Sequence, residues 1–126
     1  MAANIFIRVG TNIIELKRIR RAAKNPKFLV KYFSADEIRF LIEHKLSTDL
    51  IAENYCAKMA FAKAIGTGFR IIRPQEITIL RDRIGSPFII TEGRAKMLEE
   101  REDYVFNISV AHCKSYATAT VVINRK

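Results

Sequence analysis

The stretch that decides the fold is Ala52 to Gly68, AENYCAKMAFAKAIGTG. It follows Leu50 without a Gly or Pro until Gly66 and is rich in alanine, so it is predicted to be a long helix. Ile51, Tyr55, Met59, Ala62 and Ile65 recur at three- and four-residue spacing and form an apolar stripe expected to face a core. Lys58 and Lys63 lie in the same helix, which should stop at Gly66-Thr67-Gly68, where glycine admits backbone angles closed to other residues. Lysines leading into a glycine turn can cradle phosphate with ammonium groups and loop amides. A buried helix with solvated lysines and an ordinary glycine cap accounts for the same spacing.

Working outward, the sequence alternates short strands and helices. Ile5–Val9 is predicted to be a strand, with Gly10-Thr11-Asn12 interrupting or bulging it and Ile13-Ile14-Glu15 leading to a helix. That helix, Glu15–Lys24, carries Lys17, Arg20, Arg21 and Lys24 at helical spacing, with Leu16 and Ile19 available to the core. Such a face is either simply solvated or a docking surface for an acidic partner. Asn25-Pro26 breaks the helix, and Phe28, Leu29, Tyr32 and Phe33 form an aromatic cluster expected in the core or at a subunit contact. Ser34-Ala35-Asp36-Glu37 reads as a capping box opening a helix to about His44, itself taken as a surface residue. Glu76–Arg81 and Phe88–Thr91 flank a turn and predict a hairpin; Glu92–Arg101 predicts a short helix. Tyr104–Ala111 and Ser115–Ile123 predict the last two strands. The order implies an α+β fold with an antiparallel sheet and a long central helix, in a single compact domain over residues 1–126.

Four of these segments together resemble the holo-acyl-carrier-protein synthases, the 4′-phosphopantetheinyl transferases of that type. Gly10-Thr11-Asn12-Ile13-Ile14-Glu15 is similar to that family's Gly-Thr-Asp-Ile-Val-Glu opening. Ala57-Lys58-Met59-Ala60 with Lys63-Ala64-Ile65-Gly66-Thr67-Gly68 resembles its signature helix. Gly85-Ser86-Pro87-Phe88 resembles its Gly-Lys-Pro-Tyr turn, and Ser109 with His112 its Ser-Ile-Ser-His segment. The resemblance implies transfer of 4′-phosphopantetheine from coenzyme A to a serine of an acyl carrier protein, by a homotrimer with sites between subunits. It implies Lys63 and His112 as catalytic residues, and Lys58, Lys63, Gly66, Thr67, Gly68, Ser109 and His112 as coenzyme A contacts. It implies that the basic helix with Lys17, Arg20, Arg21 and Lys24 docks the carrier protein. It also implies magnesium at positions 12 and 59. There the family has an aspartate and a glutamate, whereas this chain has Asn12 and Met59. An amide oxygen is a weak magnesium ligand and a thioether a poor one. A non-catalytic relative that binds coenzyme A or carrier protein is the alternative reading.

The chain has 126 residues and a net charge of +9, from 22 basic and 13 acidic residues, which favours an anionic partner. Nucleic acid ranks last, because no helix-turn-helix, zinc or stacking-platform signature accompanies the charge. No apolar run reaches the roughly 20 residues of a membrane span, so no membrane association is expected. The two cysteines, Cys56 and Cys113, are expected to be reduced, mostly buried thiols in a cytoplasmic protein with no signal peptide. A Cys113–His112 nucleophilic pair is disfavoured, since neighbours on a strand point to opposite faces.

Overall fold

An 18-residue helix, α4 (Thr48–Ile65), runs through the middle of the computed structural model, which describes residues 5–126. Asp49 in its first turn and Lys63 in its last suit the helix dipole, and Gly66 ends it in the left-handed region at φ 85°. The buried set is wider than the predicted stripe. Tyr55 and Met59 are only half-buried, while Ala52, Cys56, Ala57, Ala60, Phe61 and Ala64 are buried. The helix is covered on several sides, so a single apolar face under-describes it.

One side of α4 meets an antiparallel sheet of β1 (Ile7–Glu15), β5 (Tyr116–Arg125) and β4 (Tyr104–His112), in the order β1-β5-β4. Gly10 pairs with Val121, Asn12 with Ala119, and His112 with Ala117. Ala117, Ala119, Val121 and Ile123 of β5 are buried against the helix. The bulge expected at Gly10-Thr11-Asn12 is absent: pairing is continuous from Ile7 to Glu15. Glycine stands at position 10 for another reason. A Cβ there would lie 1.9 Å from the carbonyl oxygen of Ala60, so strand and helix backbones approach as closely as they do only because position 10 has no side chain.

Among the described residues, the other face of this sheet is left largely open. Val9, Ile13 and Val105 are exposed there, as are Asn107, Ser109 and Ala111. A second sheet, the hairpin of β2 (Ile77–Arg81) and β3 (Pro87–Thr91), packs near the start of α4 and turns at Gly85. Around these lie α1 (Leu16–Ala22), α2 (Pro26–Tyr32), α3 (Ala35–Glu43), a 3-10 turn at Pro74–Glu76, and α5 (Gly93–Glu102). α1 is shorter than predicted and leaves Lys24 beyond its end. α2 was not predicted; Asn25 caps it by accepting from the Lys27 amide, and Pro26 fits its first turn. Phe28 and Tyr32 of α2 pack against Tyr55, which bears out the aromatic cluster as core. No helix of the described residues is long and apolar enough to cross a membrane.

Candidate active site

The Ser34 capping box forms as predicted, but its carboxylate reaches further. Glu37 receives the Ser34 amide and also pairs with Lys58, and both charged side chains are fully buried. Lys58 additionally donates to the carbonyls of Pro74, at 2.9 Å, and Ile77. Burial pushes the Glu37 carboxyl up and the Lys58 amine down, each opposed by the other's charge. Lys58 is therefore not a phosphate contact, as the resemblance implied. Its three donors are spent inside the core, where it ties α4 to α3 and to the lead into β2.

From this pair a line of polar groups leads to the surface. Asn54 donates to Glu37 at 3.2 Å and to the Ile79 carbonyl, and it accepts from Arg81 at 2.9 Å. Arg81 also meets Glu53 at 3.1 Å, and the second oxygen of Glu53 lies 2.8 Å from Nδ1 of His112. Asp49 stands 3.4 Å from Nε2 on the other edge of the ring. The hydrogen bond to Glu53, aided by the charges of Asp49 and Glu53, raises the His112 pKa above the ordinary histidine value. Sequence reasoning singled out His112 but missed both carboxylates. Their spacing at i and i+4 puts them on one helix face, and that was the available signal. A cleft of about 620 Å³ opens beside Glu53 and Arg81, bounded by Phe40, Leu50 and the Arg83–Pro87 turn.

The far end of α4 is differently built. The exposed Lys63 donates to the carbonyl of Thr11 and to Oδ1 of Asn12, each at 3.0 Å. Asn12 Nδ2 points to Cys56 Sγ at 3.5 Å, and that thiol in turn donates to the Ala117 carbonyl. Cys56, Met59 and Lys63 follow one another at three- and four-residue spacing, so Met59 lies on this face. The amides of Gly66 and Gly68 do not form the cradle proposed for them. They donate to the carbonyls of Lys63 and Ala62, closing the helix C-terminus. Backbone carbonyls dominate that end, so any attraction for an anion there has to come from side-chain cations. Thr67 uses its hydroxyl on the Gly68 carbonyl.

The structure thus brings Lys63 to Asn12 but not to His112. Glu53, which holds His112, and Lys63 are ten residues apart on α4, about 15 Å at the helical rise. Ser109 lies three residues from His112 in β4 and so projects from the opposite, uncovered face. Lys17, Arg20, Arg21 and Lys24 are all exposed. The residues at positions 12 and 59 do not fit magnesium: one neutral oxygen, already bound to an ammonium, and one soft sulfur. Among the described residues no group of three or more His, Cys, Asp or Glu is arranged to hold a metal ion.

The described residues form an α+β scaffold around one long helix, with His112 and Arg81 near its start and Lys63 near its end. The chain belongs to the 4′-phosphopantetheinyl transferase superfamily, whose family model matches residues 8–121. It is 36% identical over 125 residues to a holo-[acyl-carrier-protein] synthase of Clostridium perfringens, covering 94% of each chain. It is 34% identical over 116 residues to one of Clostridium botulinum, covering 91% of this chain and 94% of the relative. Its fold matches the crystal structure of the holo-[acyl-carrier-protein] synthase from Neisseria meningitidis with a TM-score of 0.81 at 30% identity, covering 94% of this chain and 98% of that one. It also matches one from Bacillus anthracis, solved in complex with CoA, with a TM-score of 0.80 at 26% identity over 98% of this chain and all of that one.

Proposed function

We propose that this chain transfers 4′-phosphopantetheine from coenzyme A to a serine of an apo-acyl-carrier protein. The observation that carries the reading is the match to holo-[acyl-carrier-protein] synthases over more than nine-tenths of both chains. In the reaction the serine oxygen bonds to the β-phosphorus, the bond to the 3′,5′-ADP leaving group breaks, and the serine proton passes to solvent. Charge builds on the phosphate oxygens and the leaving group, so fixed cations lower the barrier. Lys63 supplies one. His112, whose charged form the Glu53 hydrogen bond and the Asp49 charge favour, is placed to supply another and to donate a hydrogen bond. α1 presents Lys17, Arg20 and Arg21, with Lys24 just beyond, to an acidic carrier protein.

The active form is a homotrimer, and the whole chain acts as one domain in the cytoplasm. The uncovered sheet face, with Val9, Ile13 and Val105, offers an apolar surface for another copy. The separation of Lys63 from His112 within one chain is what a site completed by a neighbouring subunit requires. Two free cysteines, with Cys113 exposed, suit a reducing compartment. The direct test is mass spectrometry of an apo carrier protein incubated with coenzyme A and this protein. A gain of one phosphopantetheine on serine is expected; an unchanged mass with tight coenzyme A or carrier binding supports the second reading, a non-catalytic binding relative. Asn12 and Met59 are the specific reason to hold that second reading.

A further inference from the structure

We propose that this chain grips the diphosphate of coenzyme A without a divalent ion, the Lys63 ammonium supplying the charge between β1 and the end of α4. The inference rests on the coenzyme A reading above and goes beyond it by naming what holds the phosphates.

An ammonium has three donors. Two of those on Lys63 are directed to Thr11 and Asn12, so one is left for a ligand, and neither partner carries a negative charge to cancel it. The Asn12 amide is oriented by its contact with Cys56, which turns Oδ1 toward Lys63. A divalent ion placed at positions 12 and 59 would meet this ammonium at close range and find only an occupied amide oxygen and a thioether. Repulsion and poor ligands both act against it.

A second cation lies on the same row. Arg8, Gly10 and Asn12 alternate along the α4-facing side of β1. One guanidinium nitrogen of Arg8 lies 3.6 Å from where a side chain on Gly66 would begin. Arg8 and Lys63 together line a cleft of about 360 Å³ with Val9 and Ala64. The amides of Gly66 and Gly68 are already used, so these two side chains are the charge available to an anion there.

Calorimetry of the full chain with coenzyme A, once with excess EDTA and once with excess magnesium, tests the idea. The affinity is expected to agree within about threefold, and Lys63→Gln to weaken it about tenfold in both, the worth of one charge-assisted hydrogen bond. The exposed position of Lys63 makes this variant tolerant in folding, which thermal melting checks. The double variant Asn12→Asp with Met59→Glu is expected to become magnesium-dependent, binding at least about tenfold tighter with the ion than without. Binding by the unaltered chain that appears only with magnesium, or is unchanged by Lys63→Gln, overturns the inference and leaves the transferase reading standing. Absence of binding under both conditions removes that reading and this inference with it.

Discussion

The two ends of α4 differ in how they treat charge. From its start to its middle, α4 carries matched charges: Asp49 and Glu53 face His112, Glu53 also takes Arg81, and Glu37 takes Lys58. At the C-terminal end Lys63 bonds, among the described residues, only to neutral oxygens. Matched charges hold and orient; an unmatched one remains available for a partner. The contrast makes Lys58 a core residue and leaves Lys63 for the proposed ligand, although the sequence offers them as equivalents five residues apart.

The largest effect should come from unmatching the buried pair. Lys58→Met leaves Glu37 alone in the core and is expected to cost about 3–5 kcal/mol in urea unfolding, with most of it recovered when Glu37→Leu is added. Lys63→Met should leave the unfolding free energy within about 0.5 kcal/mol, as for other exposed positions. Equal losses at the two lysines would break the comparison. Next is the seam between the ends. Gly10→Ala drives a methyl into the Ala60 carbonyl and should cost about 3 kcal/mol, at the upper end for overpacking.

His112 gives a smaller, pH-dependent effect. Its folded pKa is raised, so its contribution is fully present below the unfolded value of about 6.5 and is lost as pH rises through the folded value. The ring is 41% exposed, which limits that contribution to less than about 1 kcal/mol. In Glu53→Gln the His112 resonances should titrate at lower pH than in the parent chain. An unmoved midpoint would show that Glu53 does not hold the imidazolium. Smallest for stability are charge reversals at Arg20, Arg21 and Lys24, each within about 0.5 kcal/mol. They should nevertheless slow association with an acidic carrier protein in a salt-dependent way, measured by stopped flow.

Signals carried by neighbouring residues were legible from sequence: the Ser34–Glu37 cap, the β2–β3 hairpin, the alternation of β5 and the stop at Gly66. What was missed depends on partners distant in the chain. Lys58 read as a phosphate contact or a solvated lysine because its partner Glu37 lies 21 residues upstream, and Glu53 looked ordinary because His112 is 59 residues away. Gly10 read as a break or bulge in the strand because local propensity cannot see that another backbone passes overhead. The substitutions at positions 12 and 59 were visible at once, but that Lys63 turns its amine onto Asn12 required the fold.

β1 has two sides with different tasks. Arg8, Gly10 and Asn12 look toward α4, while Val9, Thr11 and Ile13 look outward from the same nine-residue strand. Another copy seated on the outward residues would brace the very backbone whose Thr11 carbonyl holds the lysine. Dilution would then act like a mutation: turnover per subunit should fall as protein concentration drops, while each separated chain keeps its secondary structure.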